Sequence, residues 1–229
     1  MKHNDAPMAV IGRLPRYYRL LNVLLQKGCD RVSSKELSEM LGVTASQIRQ
    51  DLNCFGEFGQ QGYGYSVPFL YQSISEILGL SSLQKAILIG VGNLGTALLA
   101  YMDFPGKGFS FIGAFDKSPS VIGKQVGGYL VQDVDCLESF CRERRPAVAI
   151  LCLPQDAAKT IVPLLVELGI DGFWNFSHYD ILRDFPQVCA ENVHLSDSLM
   201  TLCYQVNHRN QKGAVHNRTK GTESKNRRD

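Results

Sequence analysis

No stretch of this chain is apolar for long enough to cross a bilayer. The longest apolar runs, such as 162–168, are short and interrupted by Pro163 and Glu167, whereas a membrane helix needs about 20 apolar residues. The opening MKHNDAPM has no apolar segment of the kind a secretory signal requires, so a cytoplasmic location is expected. Cysteine pairing is missing as well. The seven cysteines (Cys29, Cys54, Cys136, Cys141, Cys152, Cys189 and Cys203) are scattered, odd in number and lack any C-x-x-C. Cys136-x4-Cys141 has no nearby His, so reduced thiols are expected and no metal site is assigned. Histidine is scarce: of five, only His178 and His194 lie in segments that read as packed. An excess of one charge is absent too, because 24 Lys and Arg stand against 22 Asp and Glu, net +2. That excludes a strongly basic protein that coats nucleic acid.

The sum hides unequal parts. Residues 1–72 carry 8 basic and 6 acidic groups, residues 73–204 carry 9 and 14, and residues 205–229 carry 7 and 2. Only the two ends can meet phosphate favourably. The first third reads as short helices. Leu14, Tyr17, Tyr18, Leu21, Leu24 and Leu25 recur at helical spacing, with Pro15 in the first turn and Gly28 as the stop. Ser33-Ser34-Lys35-Glu36 is a capping box opening a second helix, which Gly42 ends; Thr44-Ala45-Ser46-Gln47 is another, opening a third helix through Ile48, Leu52 and Phe55. Two capped helices around a glycine turn predict a helix-turn-helix. The alternating aromatic and small residues of 56–67 predict a hairpin suited to be a wing, ended by Pro68, and 69–80 predicts a linker helix.

From Lys85 the pattern changes. Continuous apolar runs at 86–89, 109–115, 148–153 and 170–176, with a shorter one at 193–195, alternate with helical stretches at 94–102, 136–144 and 157–168. That alternation predicts a parallel, doubly wound sheet. Between the first run and the first helix lies Gly90-Val91-Gly92-Asn93-Leu94-Gly95, a G-x-G-x-x-G in the strand-to-helix context that the dinucleotide fingerprint demands. Gly90 suits the tight turn, Gly92 the approach of backbone to a pyrophosphate, and Gly95 close packing of helix on strand. Asp116 follows Gly95 by 21 residues, where a carboxylate accepts from ribose hydroxyls and repels a 2′-phosphate, favouring NADH and NAD+ over their phosphorylated counterparts. A dinucleotide site does not make an enzyme. His178 has no partnering motif, so no catalytic residue is assigned. A last helix is expected at 196–206, with Ser196 as N-cap and an apolar stripe of Leu199, Leu202, Cys203 and Val206; from Asn207 the polar, basic composition predicts a disordered tail.

The run Thr44-Ala45-Ser46-Gln47-Ile48-Arg49-Gln50-Asp51-Leu52, then Phe55-Gly56, Gly59, Gly62 and Gly64-Tyr65, resembles the DNA-binding signature of the redox-sensing repressor Rex family. Gly90–Gly95 with Ala97, Leu98 and Tyr101, then Phe115-Asp116, 148–154 and 169–176, are similar to that family's cofactor domain in the same order. The resemblance covers about 11–204. It implies an α/β chain with an N-terminal winged helix-turn-helix domain (1–80) and a Rossmann-type domain (81–195). It further implies a C-terminal helix (196–206) swapped onto the partner of a homodimer, with the tail 207–229 beyond it. The implied function is a transcriptional repressor that binds double-stranded operator DNA and is released by NADH, with Gly90, Val91, Gly92, Asn93, Leu94, Gly95 and Asp116 holding the cofactor. Ser46, Gln47, Arg49, Gln50, Gln61, Gly62 and Tyr63 are implied at the DNA, and Asp197, Tyr101 and Arg19 as a switch in which one carboxylate exchanges a phenol for a guanidinium.

Four positions depart from the family's usual pattern. Gln50 and Gln61 stand where Lys and Arg are common, removing two charges per subunit from the DNA surface. Ser177-His178 replaces Ala-Pro in the segment near the cofactor. Two other readings therefore stay open: an NAD-dependent oxidoreductase carrying a helix-turn-helix, and a family member with a weakened redox or DNA response.

Overall fold

The computed structural model describes residues 6–56, 58–60 and 63–223. The chain divides into two compact units: Met1–Gln84 with Asp103–Ser110, and Lys85–Met102 with Phe111–Asp229.

In the first unit α1 (Met8–Ile11) leads into α2 (Leu14–Gln26), where Pro15 sits in the first turn and Gly28, at φ +72°, ends the run. β1 (Arg31–Val32) is followed by α3 (Ser34–Leu41) and α4 (Ala45–Asn53). Ser33 and Glu36 form the expected reciprocal capping box at the start of α3, and Gly42 at φ +66° makes the turn between the two helices. β2 (Gly59–Gln60) and β3 (Gly64–Ser66) pair antiparallel as the expected hairpin, and β3 pairs on its other side with β1, Val32 opposite Tyr65. Pro68 does not end an element: it lies in the first turn of α5 (Val67–Ile77), where a missing N–H costs nothing. Leu14, Leu21, Ile48, Leu52, Val67, Leu70 and Ile74 are almost fully buried and form the centre of this unit.

The second unit begins with β4 (Gln84–Ile89), whose last four residues are all buried, as befits a strand covered on both faces. Then come α6 (Asn93–Tyr101), β5 (Phe109–Asp116), β6 (Gln125–Val126), β7 (Tyr129–Asp133), α7 (Leu137–Arg144) and β8 (Val148–Leu151). α8 (Gln155–Glu167), β9 (Gly172–Asn175), α9 (Ile181–Asp184), β10 (Cys189–Asn192) and α10 (Leu195–Glu223) complete it. The sheet order is β10-β9-β8-β4-β5-β7-β6. Setting aside the antiparallel β6, the order along the chain is 3-2-1-4-5-6, that of the dinucleotide-binding Rossmann sheet, and it reverses direction between β4 and β8.

Three expectations need correcting. The last strand lies at Cys189–Asn192, parallel to β9, and not at 193–195. Its polar, exposed sequence Cys-Ala-Glu-Asn hides an edge strand from a hydrophobic pattern. Ser196 is not an N-cap, because α10 already includes Leu195 and Asp197 N–H donates to His194 O at 3.0 Å. Nor does that helix stop at 206: its backbone continues to Glu223, since 207–223 holds no proline, and Gly213 and Gly221 weaken a helix without breaking it. Among the described residues no helix is long and apolar enough to cross a membrane, and no cluster of three or more His, Cys, Asp or Glu is placed to hold a metal.

Candidate functional site

α4 buries one face and presents the other. Ile48, Asp51 and Leu52 point inward, at no more than 1% exposure, while Ser46, Arg49, Gln50 and Asn53 share the exposed side at helical spacing. A buried Asp is costly unless paired. Here Arg13 Nε and Nη2 donate to the two oxygens of Asp51 at 2.7 and 2.6 Å, Tyr17 Oη at 2.6 Å and Gln47 Nε2 at 2.8 Å. Burial alone would raise the Asp51 pKa, but these donors outweigh it and hold the carboxyl below its usual range. Burial and the bond to Asp51 push the Tyr17 hydroxyl well up. The outward face of α4 is thereby fixed to α2 by a charged clamp.

That clamp also alters the N-terminus of α4. Thr44 Oγ1 accepts from Gln47 N–H at 3.1 Å, as expected, but the Gln47 side chain goes to Asp51 and not back to the Thr44 backbone. The second capping box is therefore half formed, because a carboxylate attracts the amide more strongly than a backbone N–H does.

Around α4, Arg49 Nη1 donates to Ser34 Oγ at 3.0 Å. Tyr63 is 70% exposed, and Arg31 donates to its carbonyl at 3.0 Å with the guanidinium 5.9 Å from the ring centre. The structure thus brings Ser46, Arg49 and Gln50 onto one face. Gln61 and Gly62 lie outside the described residues.

In the second unit the three fingerprint glycines have distinct geometric reasons. A Cβ on Gly90 (φ +98°) would lie 2.4 Å from Cys152 O, and one on Gly95 would lie 2.1 Å from Gly90 O. A Cβ on Gly92 would meet nothing within 4 Å. Gly90 and Gly95 are therefore required by the fold, whereas Gly92 leaves open space at the N-terminus of α6. Such a helix start, with its unpaired amides and a concavity no side chain fills, suits a diphosphate. Asp116, at the end of β5, accepts from Val91 N–H at 2.6 Å and Ser118 N–H at 2.8 Å. Each carboxylate oxygen has a second lone pair, which leaves capacity for hydroxyl donors. These residues fit the adenosine and diphosphate part of a dinucleotide. Asn93 is exposed, Leu94 half-buried and Val91 buried.

Two models of known families match the chain: "Putative DNA-binding protein N-terminus" over residues 5–53 and "CoA binding domain" over 81–179. The redox-sensing transcriptional repressor Rex of Clostridium perfringens is 49% identical over 208 residues, which span 90% of this chain and 97% of the relative. The chain belongs to the Rex family of redox-sensing transcriptional repressors. Among solved structures, RSP in complex with β-NAD+ and operator DNA has a TM-score of 0.82 at 45% identity, covering 93% of this chain and 97% of that one. RSP in complex with β-NADH also has a TM-score of 0.82, at 44% identity over 91% of this chain and 98% of that one.

The remaining positions expected of a Rex protein are exposed. Tyr101, at the end of α6, is 89% exposed; Arg19 on α2 and Asp197 in the first turn of α10 are exposed as well. Along α10, Leu195, Leu199, Leu202 and Val206 share one face at 50–67% exposure, an apolar stripe uncovered within one chain. His178 is exposed and stacks on His194 with ring centres 5.1 Å apart, so its neighbour is another imidazole and not a carboxylate that would orient it as an acid. Sequence reasoning missed two buried networks. One is the Asp51 clamp, signalled by an acidic residue at a core-facing position of the pattern 48, 51, 52, 55. The other follows β9, where Asn175 Oδ1 accepts from Ser177 Oγ at 2.6 Å and Asn175 Nδ2 donates to Tyr179 O at 2.8 Å. Asn175 and Ser177 are both at most 2% exposed, so the serine that departs from the family pattern secures the loop carrying His178.

Proposed function

We propose that this protein is a homodimeric transcriptional repressor that binds operator DNA through its first unit and reads the NADH/NAD+ balance through its second, leaving the DNA when NADH binds. The observation that carries this reading is the end-to-end likeness to RSP, a relative crystallised with β-NAD+ and operator DNA and with β-NADH. It is not read as an enzyme, because relatives that cover 90% of the chain are repressors. A regulator of this kind works where the chromosome and the free NADH pool are, which is the cytoplasm.

The proposed roles of the individual residues are these. Ser46, Gln47, Arg49 and Gln50, with Gln61, Gly62 and Tyr63 of the wing, meet the duplex, since the second helix of a helix-turn-helix enters the major groove. Gly90, Val91, Gly92, Asn93, Leu94, Gly95 and Asp116 hold the cofactor, Gly92 by the space it leaves and Asp116 by accepting hydroxyl donors. Bound NADH or NAD+ supplies a nicotinamide whose charge and shape differ between the two redox states. The apolar stripe of α10 supports a helix swapped onto a second copy, since burying it removes from water the four side chains that one chain leaves exposed. Asp197, Tyr101 and Arg19 are the switch, an exposed carboxylate with a phenol and a guanidinium as alternative partners.

The test is operator binding at fixed salt while NADH is titrated against NAD+. NADH releases the DNA and NAD+ does not; equal responses to the two cofactors refute the sensor.

A further inference from the structure

Gln47 occupies the third helical position of α4, in the N-terminal turn that meets base edges when such a helix lies in the major groove. Its amide is not free to turn over. Nε2 donates to Asp51 Oδ1 at 2.8 Å, and Asp51 is 1% exposed and anchored from the other side by Arg13 and Tyr17. An ionised carboxylate only accepts hydrogen bonds. The amine end of Gln47 must therefore face Asp51, because a flipped amide would set oxygen against oxygen. Arg13 and Tyr17 keep Asp51 charged whether or not DNA is present, so the constraint is there before the duplex arrives.

We propose that this clamp makes Gln47 a specificity-determining residue that selects adenine, and so an A·T pair, at one position of each operator half-site. The inference rests on the DNA-binding reading above and deepens it. With one N–H committed to Asp51, Gln47 offers Oε1 as an acceptor and a single remaining N–H. Adenine suits that pair, donating from N6 to Oε1 and accepting at N7, whereas cytosine donates from N4 but offers the remaining N–H no acceptor. Guanine shows two acceptors, N7 and O6, in the same groove, and thymine shows O4 and a methyl. Either would meet Oε1 with nothing to donate. A free glutamine would escape this by turning over, and here it does not.

The experiment is selection of a randomised duplex library by the full-length protein, followed by sequencing of the retained DNA for wild type, Gln47→Ala and Gln47→Lys. Thermal melting first establishes that both variants fold; Ala and Lys are good helix formers and leave the Arg13–Asp51–Tyr17 contacts in place. Wild type is expected to enrich a motif in which one position per half-site is an A·T pair, preferred by roughly 5- to 150-fold. Gln47→Ala makes that position alone indifferent. Gln47→Lys, whose ammonium satisfies Asp51 while presenting further donors, moves it to a G·C pair. A position lost in Gln47→Ala that proves to be a G·C pair in wild type overturns the proposal, as does a Gln47→Ala motif identical to that of wild type. If wild type enriches no sequence at all, the DNA-binding reading itself falls, which is a different result from either of these.

Discussion

Replacing Asp51 with alanine should destabilise the first unit by an amount set mainly by what it strands. The Tyr17 hydroxyl is the principal casualty. Tyr17 is 4% exposed and donates to Asp51 at 2.6 Å, so losing that acceptor leaves a buried donor unsatisfied, at a cost of about 1–3 kcal/mol. Arg13 suffers less, since its side chain is 35% exposed and can turn towards water. Together with the lost charge-assisted bonds this gives an expected loss of about 2–4 kcal/mol. With a urea m-value of about 1–3 kcal/mol/M, the unfolding midpoint should fall by roughly 1 M or more. Far-UV circular dichroism follows the whole chain. Fluorescence of Trp174, the single tryptophan, follows the second unit and serves as an internal control. The decisive measurement is a double-mutant cycle with Tyr17→Phe, which removes the hydroxyl before it can be stranded. In that background Asp51→Ala should cost about 1–2 kcal/mol less than in wild type. Equal costs in the two backgrounds, or a loss below about 0.5 kcal/mol in wild type, would refute the reasoning.

Further outcomes follow from the same geometry. Gly92→Ala should melt as wild type does, because its Cβ meets nothing within 4 Å, yet weaken NADH binding by at least about tenfold on calorimetric titration. Gly95→Ala should instead lower stability by about 1–3 kcal/mol, since its Cβ would fall 2.1 Å from Gly90 O; identical behaviour of the two variants would contradict the division of roles. The lowered Asp51 pKa means that the folded first unit binds fewer protons than the unfolded chain through the acid range. Stability from this group is therefore complete above the unfolded carboxyl pKa of about 3.9 and is lost as pH falls through the lower folded value. Acid unfolding of Asp51→Asn, followed by circular dichroism, should lack that part of the pH dependence. Gln50→Lys, on the exposed face of α4, should strengthen operator binding and steepen the slope of log K against log salt by about 1 per subunit. An unchanged slope would mean that this face of α4 does not lie against phosphate.

What could be read from the sequence was local. The two glycine-punctuated helices and the G-x-G-x-x-G with Asp116 behind it are encoded within stretches of about a turn and a strand, so residue type and spacing suffice. The parallel, doubly wound sheet also followed, because apolar runs alternate with helices, although its strand order did not. What escaped was either too polar or too distant. β10, with its exposed Cys-Ala-Glu-Asn, and the two-residue strands β1 and β6 carry no hydrophobic period. The Asp51 clamp joins residues 38 positions apart in the chain, and no local pattern pairs Arg13 with Asp51. Even so, the acid at a core-facing position of α4 was a visible anomaly that demanded a partner.

In its proposed role, Asp116 ties the choice of cofactor to the shape of the loop that receives it. The carboxylate suited to ribose hydroxyls also accepts the Val91 N–H and the Ser118 N–H. Replacing it to admit a 2′-phosphate would therefore release two backbone amides next to the glycine turn at the same time as it changed selectivity. A mutational path from NADH to NADPH sensing in this scaffold must pass through a variant whose binding loop is loosened before its new preference is established. Cofactor preference should accordingly be among the slowest traits to drift in this lineage, and among the hardest to redesign by a single substitution.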